Sequence, residues 1–190
     1  MQPVGPLMIE HRLIERLIAL MREELVRIRD NVAIDPEFAF VDLVFIDTAV
    51  DFLRTYADRC HHGKEEDILF AALAKKDLSP EHRQIMEELI GEHAWGRETT
   101  ANLVRAKENY LRQEKEALNL MLRYLRELME FYPRHIEKED KHFFIPCLEY
   151  FTPAEKEAML ALMWEFDRKL IHEKYGSIIE QIEKRKTCGI

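Results

Sequence analysis

Leu7, His11, Ile14, Ile18, Met21, Leu25 and Ile28 follow one another at alternating steps of three and four. That spacing lays all seven on one stripe of an α-helix and on no single face of a strand. A chain that opens in this way has to bury the stripe against other helices, and one histidine stands inside it.

Three more segments repeat the pattern. The second runs Leu43, Ile46, Val50, Leu53, Ala57, His61, with Glu65 one turn on and Ile68 after it. His62 continues a different line, through Asp58, Thr55, Asp51 and Thr48, which is polar throughout, so it is expected to face solvent, and Glu66 with it. The third stripe is Met86, Leu89, His93, Gly96, Thr100 and Leu103, and the fourth is Leu118, Met121, Leu125, Leu128, His135 and Glu139. Each segment thus carries one histidine inward. Breaker residues near 30–36, 77–80, 109–114 and 146–153 separate them and leave a fifth segment. Ser79 before Pro80, and Thr152 before Pro153 with Glu155 three residues on, are helix-start signals. The fifth segment carries Met159, Leu162, Phe166, Leu170 and Ile178 along one side, which the other helices or a second copy must cover.

The expected fold is all-α: an up-down antiparallel four-helix bundle over about residues 7–145, with an additional C-terminal helix over about 153–186, in one domain spanning 1–190. A net charge of -8 opposes contact with phosphate backbones, and the one basic cluster, Lys184 to Lys186, lies near the C-terminus. No run of apolar residues is long enough to span a membrane, and no secretion signal opens the chain, so a cytoplasmic protein without nucleic-acid or membrane partners is expected. Cys60, Cys147 and Cys188 form no CxxC pair and are expected to be reduced thiols.

His61 and Glu65 sit four residues apart on one helix face, as do His135 and Glu139. The spacing is cheap by itself, since 36 of 190 residues are acidic and His11 and His62 also have an acid four residues on. More telling is that HHGKEEDILF (61–70) and HIEKEDKHFF (135–144) align without a gap, matching His61 to His135, Lys64 to Lys138, Glu65 to Glu139, Glu66 to Asp140 and Phe70 to Phe144. Upstream of each copy stands a Glu-His pair, Glu10-His11 and Glu92-His93. Two helical hairpins packed together would bring four histidines and two glutamates to the middle of the bundle.

Burying two carboxylates in an apolar core is prohibitive unless something positive sits beside them. No lysine or arginine is expected in these seams near the six residues. Two divalent cations would neutralise the carboxylates, which can bridge both ions, while neutral imidazoles fill the remaining positions. Mixed nitrogen and oxygen ligation suits iron or manganese, and zinc as a further option. His82 and His172 are expected to stay out of any such site, Met21, Met86 and Met121 to be core filler, and Gly63 and Pro133 to be helix irregularities that help aim the ligands.

On these residues the sequence resembles the hemerythrin-like HHE cation-binding domain family over about residues 7–145. The resemblance implies that His11, His61, Glu65, His93, His135 and Glu139 hold a non-heme di-iron centre with carboxylate and oxygen bridges. The chain departs from the oxygen carriers in having Arg97 where they place a fifth histidine, one turn after His93. They also use HxxxxD, which His135 and Asp140 would satisfy, so Asp140 stands as a second choice to Glu139. Water, hydroxide or a side chain such as His142 would complete the metal that lacks a nitrogen.

The function implied is binding of, or reaction with, dioxygen, peroxide or nitric oxide, in sensing, scavenging or iron handling. A ferritin-like di-iron carboxylate oxidase is the alternative, although that class needs two ExxH motifs and only Glu139 with His142 forms one here. A bundle with a structural metal, associating through its fifth helix into a homo-oligomer, is the other. No phosphate loop or catalytic triad pattern is present to mark an enzyme.

Overall fold

The computed structural model describes residues 2–35 and 39–187 of the chain, with side chains described through residue 170. Among them every regular element is helical. Helix α1 spans Gly5–Ile34. Helix α2 begins at Leu43–Phe52 and continues without a break through a π-helical stretch, Leu53–His62, a second, Glu65–Phe70, and a last α turn, Ala71–Leu73. Helix α3 spans Pro80–Leu111. Helix α4, Ala117–Lys138, runs into a third π-helical stretch, Glu139–Phe143, and then Phe144–Cys147. Helix α5 spans Pro153–Thr187.

The helix starts are chemically explicit. Asp42 caps α2 by accepting the N–H of Phe45 at 2.9 Å, and Ser79 caps α3 by accepting that of His82 at 3.2 Å. At α5 a capping box closes: Thr152 Oγ1 accepts the N–H of Glu155, and Glu155 Oε2 accepts that of Thr152 at 2.8 Å. The link from α3 to α4 turns tightly, with Gln113 and Glu116 both in the left-handed region.

Packing follows the stripes. Helix α4 lies against α3 and α1, while the π-helical part of α2 touches α1 and α3 and is flanked by α5. The apolar core forms two separate layers. One gathers Ile14, Ile18 and Met21 of α1 with Ile46 and Leu53 of α2, Leu103 of α3, and Met121, Leu125 and Ile136 of α4. The other gathers Leu7, Leu69, Phe70, Leu89, Phe143, Phe144 and Met163. On each of the first four helices the inward histidine falls between these layers, so a polar slab is enclosed by hydrocarbon on both sides.

Two expectations shift by one residue. The second stripe buries Leu69 rather than Ile68, because the π-helical turns ahead of it each take in an extra residue. On α5 the core-facing residues are Met159 and Met163, whereas Leu162 is exposed. The side chains of His172 and Ile178, the Lys184–Lys186 cluster and Cys188 lie outside the described residues.

Candidate metal centre

His11, His61, His93 and His135 are all buried and turn their Nε2 atoms toward two equally buried carboxylates, Glu65 and Glu139. Glu65 sends one oxygen to His61 and the other to His93, each at 3.3 Å. Glu139 sends one to His11 and the other to His135, each at 3.2 Å. Each carboxylate therefore spans from the α1–α2 pair of histidines to the α3–α4 pair. The six residues named from spacing are brought together in one place.

The opposite nitrogen of every one of these histidines is held by a second carboxylate. Nδ1–H of His61 donates to Glu10 at 2.9 Å, that of His93 to Glu66 at 2.7 Å, that of His135 to Glu92 at 2.8 Å, and that of His11 to Asp140 at 2.8 Å. An ionised carboxylate can only accept, so each Nδ1 carries the proton and each Nε2 lone pair points inward. The four bonds run as a ring, from α1 to α2, α2 to α3, α3 to α4 and α4 back to α1. Exchanging the two halves of the internal repeat maps the ring onto itself.

A cation stands behind each outer carboxylate. Lys64 pairs with Glu10 and Lys138 with Glu92, while Arg97 pairs with Glu66 and Arg12 with Asp140. Burial alone would raise Glu66, Glu92 and Asp140, but hydrogen bonds from the facing imidazole and cation outweigh it and hold all three below their ordinary range. Glu10 is more deeply buried, and there burial wins over Lys64 and raises it. The repeat's phenylalanines also take part: Phe70 stacks on His93 and Phe144 on His11. Asp140 thus orients His11, and Glu139 is the α4 carboxylate that faces the histidines.

Three residues depart from expectation. Lys64 is fully buried, contrary to the reading that no cation enters the seams. Its ion pairs are with Glu10 and Asp167, however, and not with Glu65 or Glu139. It also fills a group formed by Glu10, Cys60 and Asp167, which is an ion-paired cluster on that account. His142 is exposed, so the ExxH pair with Glu139 does not converge. His62, expected in solvent, is 2% exposed and its ring lies 3.9 Å from that of His93. The π-helical stretch is the reason: with bonds closing five residues back, adjacent positions 61 and 62 both turn inward. No α-helical wheel could have shown this; the doubled histidine was the visible signal. His82 is engaged by the Tyr150 hydroxyl at 2.8 Å, away from the centre.

Electrostatics sharpen the picture. Burial pushes Glu65 and Glu139 well above the ordinary carboxylate range. It pushes His61 and His62 well down, and His135 to about 4. His61, His62 and His135 are therefore neutral bases. Nε2 of all five histidines and both oxygens of Glu65 and Glu139 are buried without a hydrogen-bond partner. A core that orphans so many polar atoms on one point is not a satisfied hydrogen-bond network. The atoms fall into two groups, His11, His61, Glu65 and Glu139, and His62, Glu65, His93 and His135, each with its ligand atoms within 4.8 Å of one another. Neutral imidazoles with carboxylates are a donor set for divalent first-row metals, so these residues fit two cations sharing Glu65. Cys60 and Cys147 are free and buried, with thiols pushed up by burial to about 12, and take no part.

A family model described as hemerythrin HHE cation binding domain matches residues 2–145. No curated protein and no solved structure matches the chain.

Proposed function

The chain belongs to the hemerythrin HHE cation-binding domain family, and from that premise we propose that it holds a non-heme di-iron centre that binds or reacts with dioxygen, peroxide or nitric oxide. The observation that carries this reading is the span of the two carboxylates, each with one oxygen toward the His11–His61 pair and one toward the His93–His135 pair. On this reading His11, His61, Glu65, His93, His135 and Glu139 are ligands, and α1 to α4 form an up-down antiparallel bundle around them in a single domain flanked by α5.

Bound there, iron would supply a redox-active Lewis acid with room for a small exogenous ligand. The chain's own part is positional. The outer carboxylates lock each imidazole in one tautomer and orientation, Glu65 and Glu139 neutralise charge, and the two apolar layers exclude bulk water. A low-dielectric surround of this kind strengthens every electrostatic contact within it. Manganese or zinc suits the same donors, and iron is preferred for its reactivity toward the three small molecules.

The test is elemental analysis of protein made with iron supplied and purified without chelators, followed by anaerobic addition of each small molecule under optical observation. About two irons per chain and a spectral change on addition support the reading. No metal after reconstitution with iron, manganese or zinc sinks it. Unfolding on chelation, with no response to any of the three, would point to a structural metal.

A further inference from the structure

At one position buried in both copies the internal repeat changes from polar to apolar. His62 of HHGKEEDILF aligns with Ile136 of HIEKEDKHFF, and both side chains are in the interior, 2% and 3% exposed. Everything around them that touches the centre is matched: His61 with His135, Lys64 with Lys138, Glu65 with Glu139, Glu66 with Asp140. An imidazole thus stands in one half where the other half has hydrocarbon.

That imidazole has nothing to do in the protein alone. Both of its ring nitrogens are buried without a hydrogen-bond partner. Asp58 is the nearest carboxylate, and at 3.5 Å from Nδ1 it is too far for a good hydrogen bond. The other four histidines each have one nitrogen engaged and one turned inward; His62 alone has neither engaged. It stacks on His93 and meets His135 edge-on at 5.5 Å. Helix α3 supplies only His93, because the residue one turn later is Arg97, drawn outward to Asp58 and Glu66 at 2.6 Å each.

We propose that His62 is a fifth imidazole ligand, completing the metal held by His93, His135 and Glu65, and that the two metals are thereby inequivalent. The proposal rests on the dinuclear reading above. The metal held by His11 and His61 gains no third nitrogen, since the repeat gives Ile136 in the corresponding place, and it has Glu139 beside Glu65 instead. The outer side of His62 lines a cavity of about 340 Å³ shared with Leu53, Asp58, Gly96, Arg97 and Tyr132. That cavity gives the experiment its handle.

With zinc as a diamagnetic probe, wild-type protein labelled with 15N-histidine should show five metal-bound imidazoles among its eight histidines. His62→Ala should weaken one of the two zinc ions by at least about tenfold and leave the other unchanged. Free imidazole, reaching the vacated space through the cavity, should restore the weakened site. Two zinc ions bound with only four coordinated imidazoles, or full affinity for both ions in the variant, overturns the role of His62 and leaves the dinuclear reading standing. Wild-type protein that binds no zinc, iron or manganese overturns both.

Discussion

Glu92 on α3 accepts a hydrogen bond from Nδ1 of His135 on α4 at 2.8 Å, so the residue before one inward histidine aims the next. Glu10, which precedes His11, does the same for His61. A ligand held in this way is pre-oriented and more basic, and removing such a partner typically weakens metal binding by about 10- to 100-fold. Glu92→Ala should fall in that range by chelator competition. Glu92→Gln, which keeps an acceptor but loses the charge and the Lys138 pair, should fall less. Equal affinity in all three proteins would mean that Glu92 does not position His135.

The two central carboxylates should destabilise the protein once metal is stripped. Burial raises both above their ordinary value near 4.5, so the folded state retains protons that the unfolded state gives up. Stability of the stripped protein therefore falls as pH rises above about 4.5, toward the raised folded values. Replacing Glu65 and Glu139 together by Gln removes that dependence and offers amide donors to the inward Nε2 atoms. The double variant should bind no metal yet melt higher at pH 7 when compared in chelator, by roughly 2–4 °C for each kcal/mol recovered. A lower melting temperature than stripped wild type, by calorimetry, would contradict this.

The stripes and the histidines of α1, α3 and α4 were legible because α-helical spacing holds through those stretches, whereas His61, Glu65 and Glu139, in or beside π-helical turns, were marked by the four-residue His–Glu spacing and its repetition. What was not legible follows from two physical causes. The π-helical stretch Leu53–His62 adds residues to each turn, so a wheel drawn at α-helical pitch put His62 outside and Ile68 inside. Lys64 reads as a solvated lysine because its partners, Glu10 and Asp167, lie 54 and 103 residues away in the chain. The repeat's matched Lys, Glu/Asp and Phe positions belong to the ring of supports around the centre.

Gly63, beside His61, also has a packing reason to be small. A Cβ there would meet Cζ of Phe166 on α5 at 2.8 Å, so the residue is small to let α5 lie close. Ala is better than Gly inside a helix by about 1 kcal/mol. Gly63→Ala should show that gain in full only in a Phe166→Ala background, and a reduced or reversed gain with Phe166 present. Urea denaturation of the four proteins of this cycle measures the coupling, and additivity would rule the contact out.

At the start of α5, Glu155 receives hydrogen bonds from Lys76 at 2.6 Å and from the Thr152 backbone and hydroxyl, which together lower its carboxyl to about 2. Its folded value lies below the ordinary 4.5, so its contribution is present above pH 4.5 and fades as pH falls toward 2. Wild type and Glu155→Gln should differ in stability at neutral pH and converge at the acid end of that window. A difference that is constant across it would assign the effect to something other than this carboxylate.

The repeat supplies its own control for the buried lysine. Lys64 and Lys138 are equivalent in sequence and each pairs with the glutamate that orients a histidine, but the side chain of Lys64 is wholly inside and that of Lys138 is 27% exposed. Removing one partner of a buried pair leaves an uncompensated charge and costs about 3 kcal/mol or more. A half-open pair is screened by water and is worth under about 1 kcal/mol. Lys64→Met should therefore destabilise the protein far more than Lys138→Met does, and Glu10→Gln added to Lys64→Met should recover part of the loss by removing the stranded carboxylate. Similar denaturation midpoints for the two single variants would mean that water reaches Lys64 and Glu10 as readily as it reaches Lys138 and Glu92.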